Sequence, residues 1–288
     1  MKPFDYFAPE SLPAALDLLS RFNGDARVLA GGSDLFLQMK NGLIAPSNVV
    51  DIQRVSELRG LEFTPAEGLR IGALTTLGEL NASSAVREYY PCLEQAAAVM
   101  GSTQIRNFAT VGGNICNASP SADLAPPLIV LGARLQIAGP AREREMLLED
   151  FFLGPGETAL TGGELLVAVT VPPPTGQARY LKFAPRAYMD LAVVGAAVWM
   201  LADAESCADC HIALGAVAPK PIRARAAEAL LRGRPMLPAL IDSAAEQAAA
   251  ECEPIDDVRG SSWYRRRIVR QLVARGLRAL AGLEPAAV

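Results

Sequence analysis

Short polar side chains crowd one stretch of this sequence. Between Thr103 and Ala133 (TQIRNFATVGGNICNASPSADLAPPLIVLGA), Thr110 precedes a glycine pair, Gly112 and Gly113, followed by Asn114; Asn117, Ser119, Ser121 and the carboxylate of Asp123 come close behind. No packed core element is expected from such a run. Glycines allow a close backbone approach, and Thr, Asn, Ser and Asp offer short, stiff hydrogen-bonding groups for a polyhydroxylated or phosphorylated ligand. A second place is Gly31-Gly32-Ser33-Asp34. It lacks the spacing of a dinucleotide-binding GxGxxG and the Lys-Ser/Thr of a P-loop, so neither fold is supported, and alone it reads more often as a simple tight turn. A third is Cys207-Ala208-Asp209-Cys210-His211, which spells CxxCH and contains the single histidine of the chain. Covalent haem attachment, a labile metal site and a hairpin turn with incidental thiols are all open there; without an export signal the turn is the expectation. One histidine in that position leaves no serine–histidine hydrolase pair.

The elements around these residues follow from periodicity. Ser11 is an N-cap for a helix carrying Leu12, Ala15, Leu16 and Leu19, which stops at Asn23-Gly24. Arg27 to Ala30 is a short buried strand that runs into the glycine turn, and Leu35 to Met39 resumes a helical pattern. A strand, a glycine turn and a helix start together favour a phosphate. Asn48 to Ile52 and Leu69 to Leu74 read as strands, Thr76 to Glu79 as a capping box, and Pro91 to Met100 as a helix stopped by Gly101. Leu128 to Leu131 and Arg134 to Ala138 are apolar and strand-like, Glu149 to Gly156 is a loop, and Glu164 to Val171 is a strand halted by Pro172 to Pro174. Beyond the prolines, Tyr180 to Phe183, Ala192 to Leu201 and His211 to Val217 predict a three-stranded antiparallel sheet, its last two strands joined across Asp203 to Cys210. Arg223 to Ala281 predicts three helices. The prolines divide the chain into 1–174, with subdomains of about 1–55 and 56–174, and 175–288.

At 288 residues, about two domains are expected, and 51% hydrophobic content suffices to fold them. A net charge of −4 argues against nucleic acid. Arg265 to Arg267 sit in a helical pattern and read as a solvated face. The opening MKPFDYFAPES has no apolar h-region and no run of about 18 apolar residues occurs. The five cysteines are an odd number without framework spacing. A cytoplasmic protein with no membrane span is expected.

Taken together, LAGGSDLFLQMK (29–40) and QIRNFATVGGNICNASPSADLAPPLIVLGA (104–133) strongly resemble the two flavin-binding motifs of the xanthine dehydrogenase and carbon monoxide dehydrogenase family of molybdenum hydroxylases. The likeness continues through FAPRAYMDLAVVGAAV, GAVAPKPIRARAAE and SSWYRRRIVRQLVARGLRAL, nearly the whole chain. The resemblance implies an α+β protein: a vanillyl-alcohol-oxidase (PCMH)-type FAD-binding fold of two α/β subdomains, plus a C-terminal domain of a small antiparallel sheet and a helical bundle. It implies that the turn Leu29, Ala30, Gly31, Gly32, Ser33, Asp34, Leu35 and Phe36 holds the FAD pyrophosphate, through the backbone N–H groups of Gly31 to Asp34. Thr110, Gly112, Gly113 and Asn114 would lie beside the diphosphate and ribityl chain, with Asn117 and Ser119 close behind. Asp123 would meet ribose-type hydroxyls, and Met100, Leu166 and Lys182 would line the flavin. Patterning by itself reads Met100 and Leu166 as core, Lys182 as solvent-facing and Asp123 equally as a helix cap.

What the resemblance implies for function is an electron-transfer subunit with noncovalent FAD and no metal of its own. A large partner would carry the molybdenum cofactor, and a small partner two two-iron two-sulfur clusters. Electrons would leave through FAD to NAD or a quinone. A xanthine-type substrate is mildly favoured by NASPSADLAPP, and the extra cluster loop of the benzoyl-coenzyme A branch is missing. Alternatives are a stand-alone flavoenzyme of the same fold, like UDP-N-acetylenolpyruvoylglucosamine reductase, or a non-enzymatic FAD-binding assembly protein.

Overall fold

The computed structural model describes residues 1–186, 189–203 and 206–283. Ala187 and Tyr188, within the FAPRAYMDLAVVGAAV segment, and Ala204 and Glu205, within the expected Asp203 to Cys210 connection, lie outside the described residues.

The chain begins with β1 (Asp5–Phe7), α1 (Leu12–Phe22), β2 (Ala26–Leu29), α2 (Leu35–Lys40) and β3 (Asn48–Asp51), in a parallel sheet of order β1-β3-β2. Ser11 Oγ accepts from Ala14 N at 3.4 Å and caps α1, a contact worth about 1 kcal/mol. Its end is the left-handed Asn23 (φ 44°), whose N–H reaches the carbonyls of Leu19 and Ser20. Between them Ala15 and Leu19 are buried in a cluster with Val50 of β3. Helices carry the chain between parallel neighbours, as such pairing requires.

A second unit holds β4 (Leu61–Thr64), β5 (Gly68–Gly72), α3 (Leu77–Ala82), α4 (Ser84–Tyr89), α5 (Pro91–Ala98), α6 (Thr103–Arg106), α7 (Val111–Cys116), α8 (Ala125–Val130), β6 (Arg134–Ala138), β7 (Glu143–Leu147), β8 (Phe152–Gly154), β9 (Glu157–Thr158) and β10 (Leu165–Val171). Its antiparallel sheet runs β4-β5-β10-β6-β7, with the apolar β10 in the middle. The chain enters α3 through the expected capping box of Thr76 and Glu79.

Two expectations for Thr103 to Ala133 are corrected here. Val111, Gly112, Ile115, Ala118, Ala122 and Leu124 are buried, so much of this polar-looking stretch is core. Leu128 to Leu131 are not a strand: Leu128 to Val130 belong to α8, whose six residues are all buried. An apolar run enclosed on every side has no periodicity to separate helix from strand, and here Pro126 and Pro127 sit in the first turn, where a missing N–H costs nothing. Gly132 (φ 71°) closes it.

The third unit contains β11 (Gln177–Phe183), β12 (Val194–Asp203), β13 (Ser206–Gly215), β14 (Ile222–Arg223), α9 (Arg225–Leu231), β15 (Arg234–Pro235), α10 (Pro238–Ala250) and α11 (Ser262–Leu280). The expected three strands are antiparallel neighbours, and the short β14 and β15 extend the sheet along β13. The three expected helices pack over one face. Cys207 to His211 are not a turn but part of β13. Leu201 pairs with Asp209 and Ala202 with Cys207, leaving Ala208 as the extra residue of a β-bulge. That extra residue puts both Cys207 and Cys210 into the apolar cluster beneath the helices. His211 faces the other way, stacked on Trp199 at 4.7 Å with Nδ1 2.8 Å from the Val130 carbonyl oxygen of α8. Among the described residues no His, Cys, Asp and Glu gather to hold a metal ion.

Candidate cofactor site

The turn between β2 and α2 leaves its backbone donors unused. Among the described residues, no acceptor receives the N–H of Gly31, Gly32, Ser33 or Asp34. Asp34 takes helical angles and makes no side-chain cap, and Gly32 has φ 71°. Four successive unpaired amides at a glycine turn form a concave set of partial positive charges suited to an anion. Leu29, at the end of β2, is core; Phe36, just past the turn, exposes 41% of its surface.

Gly31 is dictated by the second motif. A Cβ at Gly31 would lie 2.0 Å from the carbonyl oxygen of Phe108, so the two motifs touch through their backbones. They are also joined where Gln38 Nε2 donates to Asn117 Oδ1 at 3.3 Å. Phe108, exposed by 67%, and Phe36 both flank this junction.

Within the second motif the amides of Val111 to Asn114 are already spent. Thr110 Oγ1 accepts from Gly113 N at 3.0 Å, Val111 N donates to Thr75 O and Gly112 N to Ala73 O, both at 2.9 Å, and Asn114 N donates to Thr110 O. Gly112 is required because a Cβ there would sit 2.7 Å from the Ala73 carbonyl oxygen, an approach by protein and not by ligand. The expected close approach of a ligand to backbone amides is therefore corrected for Val111 to Asn114, whose amides build the scaffold and leave side chains for recognition. Asn114 Oδ1 is buried without a partner, which suits a ligand hydroxyl. Ser119 Oγ accepts from Ser121 N at 3.3 Å in a local turn. Burial pushes the Cys116 thiol up to about 12, so it stays protonated and inert.

Asp123 belongs to a separate buried cluster. It caps no helix: the residue before α8 is Leu124, without a side-chain cap. Its Oδ1 accepts from the Tyr180 hydroxyl at 2.6 Å and its Oδ2 from Lys182 Nζ at 2.9 Å. Lys182 Nζ also donates to Val99 O at 3.2 Å and Asp190 O at 2.9 Å, so all three of its protons are placed. The solvent-facing reading of Lys182 fails, since its side chain is 9% exposed and that of Asp123 6%. Burial pushes the Asp123 carboxyl above its ordinary range, against the pull of Lys182 and Tyr180. The Tyr180 phenol is driven well up by burial and by the Asp123 charge. Gly195 makes room for it, as a Cβ there would lie 2.7 Å from the Tyr180 hydroxyl oxygen. Sequence reasoning missed Tyr180, although the strand period of two puts it on the same face as Lys182.

Met100 is half-buried against the main core and its carbonyl accepts from Arg106 Nη1 at 3.0 Å. Leu166, 3% exposed, lies within that core. A cleft of about 600 Å³ lies elsewhere, between Tyr90, Pro172 to Gly176, Trp199 and His211.

Comparison with known proteins bears on this geometry. Residues 2–174 match the FAD binding domain in molybdopterin dehydrogenase, and residues 179–280 the CO dehydrogenase flavoprotein C-terminal domain. The chain is 32% identical over 273 residues to the xanthine dehydrogenase FAD-binding subunit of Escherichia coli O157:H7, covering 94% of this chain and 93% of that one. It is 35% identical over 279 residues to the carbon monoxide dehydrogenase medium chain of Hydrogenophaga pseudoflava, covering 96% of each. A solved carbon monoxide dehydrogenase from Hydrogenophaga pseudoflava, lacking the Mo-pyranopterin moiety of the molybdenum cofactor, superimposes with a TM-score of 0.94 at 35% identity, over 98% of this chain and 99% of its counterpart.

Proposed function

Because the chain belongs to the FAD-binding medium subunits of the molybdopterin dehydrogenase family, we propose that it is the electron outlet of a heteromeric molybdenum hydroxylase in the cytoplasm. A large partner carries the molybdenum cofactor and oxidises the substrate, and a small partner with two-iron two-sulfur clusters relays the electrons here. FAD, when bound, accepts those electrons and yields them to NAD or a quinone.

The residues of this chain bind and orient. The unpaired amides of Gly31 to Asp34 carry the reading: they offer a diphosphate its donors without a lysine. Asn114 Oδ1, buried without a partner, would accept from a hydroxyl of the sugar alcohol chain. Thr110, Gly112 and Gly113 position Asn114, and Asn117 ties that helix to α2 through Gln38. Tyr180 and Lys182 hold the Asp123 carboxylate, which would meet ribose-type hydroxyls, with Lys182 acting through Asp123. Substrate choice lies on the partner chain; the xanthine and carbon monoxide relatives leave both chemistries within the family's reach.

The test is anaerobic reduction of the intact three-subunit complex with dithionite, followed by NAD or a quinone. Return of the visible flavin absorbance with either acceptor supports the outlet and names the acceptor. Reoxidation by neither overturns it.

A further inference from the structure

Among the described residues Arg265 is the only buried arginine, 3% exposed, so the solvated-face reading fails for it. Its position is unfavourable on two counts. It stands in the first turn of α11, where the helix dipole opposes a cation, and its Nε is buried without a partner. What holds it there is the rest of the guanidinium. Nη2 donates to Asp257 Oδ1 at 2.6 Å, which answers the charge. Nη1 donates to two backbone carbonyls from different strands, Val193 O at 2.9 Å and Ala216 O at 2.8 Å.

Those carbonyls lie where the β12–β13 ladder stops. Its last pair is Gly195 with Gly215, and Arg265 joins the two chains just beyond it, where a further rung would have stood. Both chains lead from there to the second motif. Ala216 N donates to Pro120 O at 2.7 Å, three residues before Asp123. Ala216 has φ 64°, unfavourable for a residue with a Cβ, and it is pinned in that conformation by bonds to both its N–H and its carbonyl. On the other chain, Val193 N donates to Phe183 O at 2.9 Å, next to Lys182, whose ammonium holds Asp123 Oδ2. Asp123 is thus reached from both strands, and one guanidinium fastens the two together.

We infer that Arg265 is a positioning residue for the cofactor site: by tying Val193 to Ala216 it fixes the C-terminal sheet against Pro120 and so sets where the Asn117 to Asp123 segment stands for FAD. The inference rests on the FAD reading above. It is tested in the assembled complex, stripped of flavin and titrated with FAD, with binding read from the quenching of FAD fluorescence. Arg265→Met is expected to bind FAD about tenfold more weakly or worse. Arg265→Lys, whose three protons can serve both carbonyls and Asp257, is expected to recover most of that loss. Val273→Ala, an apolar truncation of α11 within the same buried cluster, is expected to lower the melting temperature and leave FAD affinity unchanged. Wild-type affinity in Arg265→Met, or affinity that falls with melting temperature alike in both variants, overturns the inference and leaves Arg265 a structural residue. A second measurement needs no variant and decides the matter where Arg265→Met does not fold. If the tie favours bound FAD, bound FAD must favour the tie. Stripping FAD from the wild-type complex is therefore expected to raise hydrogen exchange at the Ala216 amide and across residues 117–123, and unchanged exchange at Ala216 overturns the inference. A wild-type complex that neither carries nor rebinds FAD overturns the FAD reading, and this inference with it.

Discussion

At the scale of single residues, Asp123 and Gly31 are each fixed by a contact from a distant part of the chain. A buried carboxylate held by one ammonium and one phenol is costly to leave half-paired. Lys182→Met should therefore cost about 3–5 kcal/mol at neutral pH. The sign with pH follows from the raised carboxyl of Asp123. A carboxyl with a folded-state pKa above its unfolded value adds stability below the unfolded value and loses it as pH rises through the folded one. Removing the ammonium pushes Asp123 higher still, so the variant's deficit should be full at neutral pH and shrink as the solution is acidified toward pH 4. Urea midpoints across that range check this; a pH-independent deficit would argue that Lys182 acts through packing alone. Gly31→Ala forces a Cβ onto the Phe108 carbonyl, so the motifs must part, and FAD retention by the assembled complex should fall about tenfold or more. Retention equal to wild type would show that the junction is not part of the site.

At the scale of elements, legibility in the sequence depended on how local the cause is. The first helix was readable because both of its ends are set by side chains adjacent to it, Ser11 and Asn23. The Thr76 capping box was readable for the same reason. The glycine turn was readable as a turn with free amides because those follow from chain geometry alone. α8 was not: Ala125 to Val130 is surrounded by both the second sheet's helices and the C-terminal sheet, and its enclosure erased the periodic signal. The Cys207 to His211 segment misled because a single bulged alanine, invisible in composition, places the thiols in the core. Tyr180 meets Asp123 across 57 positions, a pairing no local pattern encodes. Thr110 lies between these cases, since its role as cap to α7 is local but its consequence is a positioned Asn114. Thr110→Ala should lower stability by about 1 kcal/mol and weaken FAD retention in the complex; unchanged flavin content would separate the cap from the site.

At the scale of the whole molecule, all three units contribute to the proposed site. The first supplies donors at Gly31 to Asp34, the second supplies Asn114 and Asp123, and the third reaches across with Tyr180 and Lys182 to hold Asp123 in place. None of these groups performs bond chemistry by itself, which fits a subunit whose cofactor carries the electrons and whose partner carries the substrate. The central claim is that this chain holds FAD by noncovalent contacts alone. It is tested most directly by denaturing the purified complex, separating the protein, and quantifying the released flavin against the copies of this chain. One FAD released per copy, with none left on the polypeptide, is the predicted result; a complex that yields no flavin, or flavin that stays attached to the denatured chain, would contradict it.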